Sequence, residues 1–171
     1  MQRQISLVAV GIVAGAVLAT GVVRGHGNEP GEATAQIGGG NVVVSYVAPS
    51  AQGRDVMSLI KPGDYWRMGA DRATTLKTDV DLMFGDMKVP AGEYTLVAHF
   101  GEEGEWSLIV AKGANPPSWK PTGVVGRAPG TVTPLDEVVD QMSIKLEGQG
   151  KNGRLVLEWG DRRLTADFAA A

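Results

Sequence analysis

Pro90-Ala91-Gly92-Glu93-Tyr94-Thr95-Leu96-Val97-Ala98-His99-Phe100-Gly101-Glu102-Glu103-Gly104-Glu105-Trp106-Ser107-Leu108-Ile109-Val110 decides the fold class. Tyr94, Leu96, Ala98 and Phe100 fall on one side of an extended chain, and Thr95, Val97 and His99 on the other. Period two is the signature of a strand rather than a helix. Pro90-Ala91-Gly92 supplies a turn before it, with proline fixing φ and glycine free to take positive φ. Gly101 to Gly104 supplies the next turn, and Trp106, Leu108 and Val110 resume an apolar face.

The same period extends in both directions. Val42, Val44 and Tyr46 alternate with Val43, Ser45 and Val47, apolar on both faces, as in a covered strand. Thr78, Val80, Leu82 and Phe84 line one face of a half-buried strand, with Lys77, Asp79 and Asp81 opposite. Phe84-Gly85-Asp86-Met87 reads as a tight hairpin. Toward the C-terminus, Met142, Ile144 and Leu146 alternate, then Leu155, Leu157 and Trp159; Gly160-Asp161 turns the chain, and Leu164, Ala166 and Phe168 follow. Between these, Pro116, Pro117, Pro121 and Pro129 argue against a central strand over much of Gly113 to Val132. Leu135 to Asp140 reads as a turn or one helical turn. The connections are too short for parallel crossovers. The expectation is an all-β domain: an antiparallel β-sandwich or flattened barrel of about seven or eight strands over residues 41–171.

The first forty residues have another character. After Arg3, Ile5 to Val23 is uncharged and ends at Arg24. Its length exceeds the roughly 7–15 apolar residues of a secretory signal core and meets the roughly 17–25 of a spanning helix. Gly11, Gly15, Thr20 and Gly21 dilute it. Residues 1–25 are therefore expected to be a signal peptide or an N-terminal apolar membrane-anchor helix, and in either case the domain is extracytoplasmic, in the periplasm or at the cell surface. Residues 26–40, with Pro30 and Gly38-Gly39-Gly40, read as a flexible linker.

Composition narrows function. The 24 glycines and 9 prolines in 171 residues exceed the usual combined share of roughly 12% but not the roughly 25–30% that marks disorder. With no cysteine there is no disulfide framework, thiol nucleophile or thiolate metal site. The net charge of −3 and the lack of a basic run speak against nucleic acid as a partner. No P-loop, G-x-S-x-G elbow, G-x-G-x-x-G or H-E-x-x-H motif occurs.

Several segments are distinctive together: Ser45-Tyr46, Pro49-Ser50 and Gly53-Arg54, then Tyr65-Trp66-Arg67-Met68-Gly69-Ala70-Asp71, Ala73-Thr74-Thr75-Leu76, Val89 to Leu96, Glu105 to Ile109 and Leu157-Glu158-Trp159-Gly160. Over about residues 41–168 the chain resembles the bacterial family catalogued as domain of unknown function 2911, best over 45–112. That resemblance implies an exported or surface-associated β-rich protein with no agreed activity. It carries over no catalytic residue.

Candidate chemistry centres on Arg54, Trp66, Arg67 and Asp71, which bring an indole, two guanidinium groups and a carboxylate to a turn-rich region. Trp stacks on flat faces, and Arg clamps carboxylate or phosphate with two parallel hydrogen bonds. The structural alternative pairs Arg67 or Arg54 with Asp71 and caps loop carbonyls beneath Trp66. His99, facing away from the core, has Asp79 and Asp81 on the corresponding face of the preceding strand, a thin supply for a metal or a general base. Glu102, Glu103 and Glu105 read as a solvated turn, and Trp119 as a loop plug or part of a stacking surface. No metal or cofactor is expected. The leading functional expectation is a non-catalytic envelope module binding a small ligand, a glycan or an envelope protein. Alternatives are a hydrolase or lyase acting on envelope or polysaccharide substrates, and a purely structural surface domain.

Overall fold

In a computed structural model the chain is described over residues 27–171. The expected signal or anchor at 1–25 lies outside the described residues. Ten strands follow in order: β1 (Glu29–Ile37), β2 (Gly40–Ala48), β3 (Tyr65–Trp66), β4 (Thr74–Thr78), β5 (Leu82–Phe84), β6 (Met87–Val89), β7 (Gly92–Phe100), β8 (Trp106–Asn115), β9 (Lys120–Gln149) and β10 (Asn152–Ala170), with one 3-10 turn at Met57–Leu59. All pairings are antiparallel, in the order β1-β2-β4-β7-β8-β9-β10-β5-β6, with β3 also on β7. The all-β antiparallel expectation holds, with ten strands instead of seven or eight.

The sheet wraps around one core. Val42, Val44, Tyr46, Leu96, Phe100, Trp106, Leu108, Met142, Ile144, Leu155, Leu157, Leu164 and Phe168 are all buried in it. Its two ends meet. Gly38 N–H donates to the Gly150 carbonyl at 2.7 Å, and a Cβ on Gly153 would lie 2.6 Å from both Ile37 Cδ1 and the Phe168 ring. Beyond β2, Met142 N–H donates to Pro49 O at 3.0 Å and Ala51 N–H to Asp140 O at 2.8 Å, joining β9 to the first half of the sheet. The β10 strand doubles back at Gly160, where φ is +58°. Ala170 N–H donates to Lys151 O, and Arg154 meets Asp167 as Arg163 meets Glu158. Gly160-Asp161 thus turns the chain as its sequence suggested.

Three expectations are corrected. The stretch 26–40 is not a flexible linker: β1 pairs with β2 along its whole length, and Ala33 and Ile37 are buried. Gly38 and Gly39 both take positive φ and make the two-residue hairpin turn from Ile37 to Gly40. Pro30 is tolerated because β1 is an edge strand. Next, Thr78 to Phe84 is not one strand. The Thr78 hydroxyl donates to Val80 O at 2.7 Å and accepts from Val80 N–H, and that local turn ends β4 and sends β5 to the other half of the sheet. Thr78, Leu82 and Phe84 nonetheless remain buried. Last, much of the proline-rich stretch is strand. Pro121 and Pro129 lie opposite Ala114 and Ser107 of β8, on parts of β9 that pair with no second strand among the described residues, so each sits at an edge where proline is tolerated.

Candidate functional site

The register of β3 on β7 sorts the distinctive aromatic and basic segment. Tyr65 lies opposite His99 and Trp66 opposite Ala98. Alternation then sends Trp66 inward and Tyr65 outward. Trp66 stacks on Trp159, centroids 5.8 Å apart and 12° from parallel. Tyr65 tilts over His99 at 4.6 Å. Arg67 follows, and its guanidinium carbon sits 4.7 Å from the Trp119 ring centroid. Its Nε–H donates to Gly69 O at 3.2 Å.

Arg54, Trp66, Arg67 and Asp71 each take a different partner. Arg54 Nε–H donates to Ala51 O at 3.0 Å. Asp71, exposed and at φ +60°, accepts from Asn28 Nδ2 at 3.1 Å. Among the described residues no ion pair or hydrogen bond joins any two of Arg54, Arg67 and Asp71. The two arginines do cap loop carbonyls. His99 is likewise remote from Asp79 and Asp81. Thr78 pairs with Gly92, at the opposite end of β7 from His99. Asp79 accepts from Asn41, while Asp81 pairs with Lys88 at 2.8 Å and accepts from Ala91 N–H. The hydrogen bond from Lys88, then that from Ala91, hold the Asp81 carboxyl below its ordinary range.

Asp140 is a structural hub that sequence reading passed over. Its carboxylate accepts from Ser50 Oγ at 2.5 Å and from Gln52 N–H at 2.9 Å, and its carbonyl from Trp159 Nε1–H at 3.1 Å. Gln141 Nε2 donates to Ala48 O at 2.6 Å and to Gly27 O at 3.3 Å. Together they pin the long Pro49–Asp64 connection and the entry of the chain to one end of the barrel.

The outer face of β7 and β8 carries a second apolar cluster of Val97, Ile109 and Ala111, fully buried, with Tyr65 and Ala114 packed against it. The β8–β9 hairpin, free of β7 beyond Ala111, reaches Arg67 through Trp119. Beside this cluster lies a cleft of about 580 Å³ whose lining includes His99, Ser107, Arg127, Asp86, Glu105 and Trp106. Arg127 Nη1 donates to Ser107 Oγ at 2.9 Å. Register places Ser107 opposite both His99 and Pro129, so adjacent strands present imidazole and hydroxyl side by side. The volume falls in the range of small-molecule sites, roughly 300–1,000 Å³. Donors (Arg127, His99, Ser107) and acceptors (Asp86, Glu105) surround an apolar wall, an arrangement suited to holding a hydroxylated ligand. Arg127 lay in the stretch whose prolines hid the strand. Its only sequence signal was its place between turn residues.

A second cleft, of about 670 Å³, is lined by Glu147, Gln149, Asn152, Arg154, Asp167 and Phe168, with Arg154 and Asp167 already paired to each other. Among the described residues every buried side-chain nitrogen and oxygen has a hydrogen-bond partner, and no group of three or more metal-ligating side chains occurs. A family model described as a protein of unknown function (DUF2911) matches residues 29–168. No curated protein and no solved structure matches.

Proposed function

The chain belongs to this family of unknown function, and from its own geometry we propose that it is an exported or membrane-anchored module of the cell envelope that binds a small polar ligand or glycan without transforming it. The observation that carries this reading is the cleft lined by Arg127, His99, Ser107, Asp86 and Glu105, with exposed Met87 as its apolar wall and buried Trp106 behind it. A sugar offers hydroxyls that donate and accept in alternation, and a C–H face for an aromatic or apolar wall. Binding is favoured over catalysis by the surroundings of His99. Its ring lies under a tilted Tyr65, and among the described residues no carboxylate is hydrogen-bonded to it as an orienting partner for a general base.

A thermal-shift panel of neutral and acidic sugars, peptides, lipids and metal ions on the purified chain tests this. A ligand bound only by the folded state raises the melting temperature. The expected result is a sugar that shifts the parent and loses its effect in Arg127→Ala and His99→Ala, both with parental melting in its absence. No shift with any sugar, or shifts that survive both substitutions, would refute the assignment.

A further inference from the structure

The correction at β1 shortens the tether. Ile5 to Val23 is the uncharged stretch, and Gly27 is already fastened to the domain through the Gln141 amide. Asn28 is held by Asp71. Only four peptide steps separate Val23 from Gly27, which span at most about 14 Å at roughly 3.3–3.6 Å per residue. The polar layer of a bilayer is roughly 5–8 Å thick on each side. An uncleaved anchor therefore holds the Gly27 end of the barrel against the membrane.

That end carries the two most exposed large hydrophobic side chains among the described residues. Leu59 is 65% exposed and Val138 70%, while Met87 and Val124 reach only 40%. Both flank Gly160. Gly160 pairs with Val139, and a Cβ there would lie 3.1 Å from Val56 and 3.5 Å from Met57, at the start of the turn that ends in Leu59. Gln141, which fixes Gly27, lies three residues beyond Val138. Exposed charges of both signs adjoin them in the chain: Arg54, Asp55 and Lys61 around Leu59, Asp136 and Glu137 beside Val138. Such a surface suits a zwitterionic bilayer more than an anionic one.

Resting on the anchored reading of Ile5–Val23, we propose that this end of the barrel lies on the bilayer, with Leu59 and Val138 seated in its interfacial layer. Scattered exposed hydrophobics are ordinary on soluble surfaces; these two lie toward the end that the tether draws to the membrane.

The chain's lack of cysteine allows the test. The full chain is reconstituted into phosphatidylcholine vesicles with a polarity-sensitive label on Leu59→Cys, Val138→Cys or, at the opposite end, Lys151→Cys. Nitroxide-bearing lipid should quench the labels at 59 and 138, with a blue-shifted emission, and leave 151 unquenched. Labels at Ser58→Cys and Glu137→Cys repeat the measurement should either first variant fail to fold. Protein that floats with vesicles while 59 and 138 behave like 151 would overturn the proposal and leave the anchor standing. Protein that fails to float would overturn both.

Discussion

Trp66 and Trp159 lie face to face, 5.8 Å between centroids, joining the segment before β4 to the end of the first half of β10. Trp159 is buried and donates to Asp140 O. Trp66 is therefore packing rather than a free stacking platform. Trp66→Ala should destabilise the fold by about 2–4 kcal/mol, somewhat below the cost of a fully buried aromatic. Urea denaturation measures this. Parental stability with loss of sugar binding would return Trp66 to the ligand.

Ser50 and Gln52 both lean on the Asp140 carboxylate. Asp140→Ala removes two acceptors from a charged group, each such bond contributing about 1.5–3 kcal/mol, less what water restores at this exposed site. A loss of about 2 kcal/mol is expected, with faster amide exchange at Gln52. Ala51 N–H, bonded to the Asp140 main-chain carbonyl, should keep its protection. Equal acceleration at both amides would mean that the whole connection depends on the side chain.

The strands were legible where side chains alternate strongly, and hidden where small residues or proline replace the pattern. Leu96, Ala98, Phe100, Leu155, Leu157, Leu164 and Phe168 declared their buried face. β1 did not, because its inward positions include Gly31, where a Cβ would collide with the Tyr46 ring at 2.5 Å. A glycine demanded by packing looks like a glycine left in a linker. The site was less legible still. Nearness in sequence grouped Trp66, Arg67 and Asp71, but period two sends Trp66 and Arg67 to opposite faces. The cleft instead gathers residues from β7, β8, β9 and the β5–β6 turn, which no local spacing reveals.

Two surface carboxylates set an acid limit. The hydrogen bond from Lys88, aided by Ala91 N–H, lowers the Asp81 pKa, and that from Arg154 lowers Asp167. A carboxyl whose folded pKa is depressed adds stability that is fully present above its unfolded value, about 3.9. That stability is lost as pH falls through the folded value. Urea midpoints should therefore drop below about pH 4. Asp81→Asn and Asp167→Asn should each make the drop shallower, and together shallower again. Both groups are well exposed, so the change is small and shrinks in high salt. Curves that superimpose on the parent would exclude these pairs as its source.

Trp119 ties the tip of the β8–β9 hairpin to Arg67. Trp119→Ala should cost about 1 kcal/mol, the scale of a partly desolvated cation–π contact. It should also loosen the hairpin over Val97, Ile109 and Ala111. Increased binding of a hydrophobic dye, with melting lowered only slightly, is the expected signature. Unchanged dye binding would show that Tyr65 and Ala114 cover the cluster unaided.

Gly130 tests the junction of the two halves of the sheet. It pairs with Ala166 on β10, next to Pro129, which pairs with Ser107 on β8. A Cβ there would stand 2.2 Å from Trp106 Cε2 and Nε1. Trp106 is buried, and its Nε1–H donates to Thr131 O at 3.0 Å. The indole cannot yield without breaking that bond and disturbing the wall of the cleft. Gly130→Ala should therefore destabilise by about 2–3 kcal/mol, as overpacking does, and shift the tryptophan emission. It should weaken any sugar bound beside Trp106 as well. Gly104→Ala is a useful contrast: nothing lies within 4 Å of its added carbon, but φ is +84°, so its cost is backbone strain of about 1 kcal/mol. Loss of sugar binding in Gly130→Ala but not in Gly104→Ala would tie ligand affinity to the seating of Trp106. Equal loss in both would tie it to global stability instead.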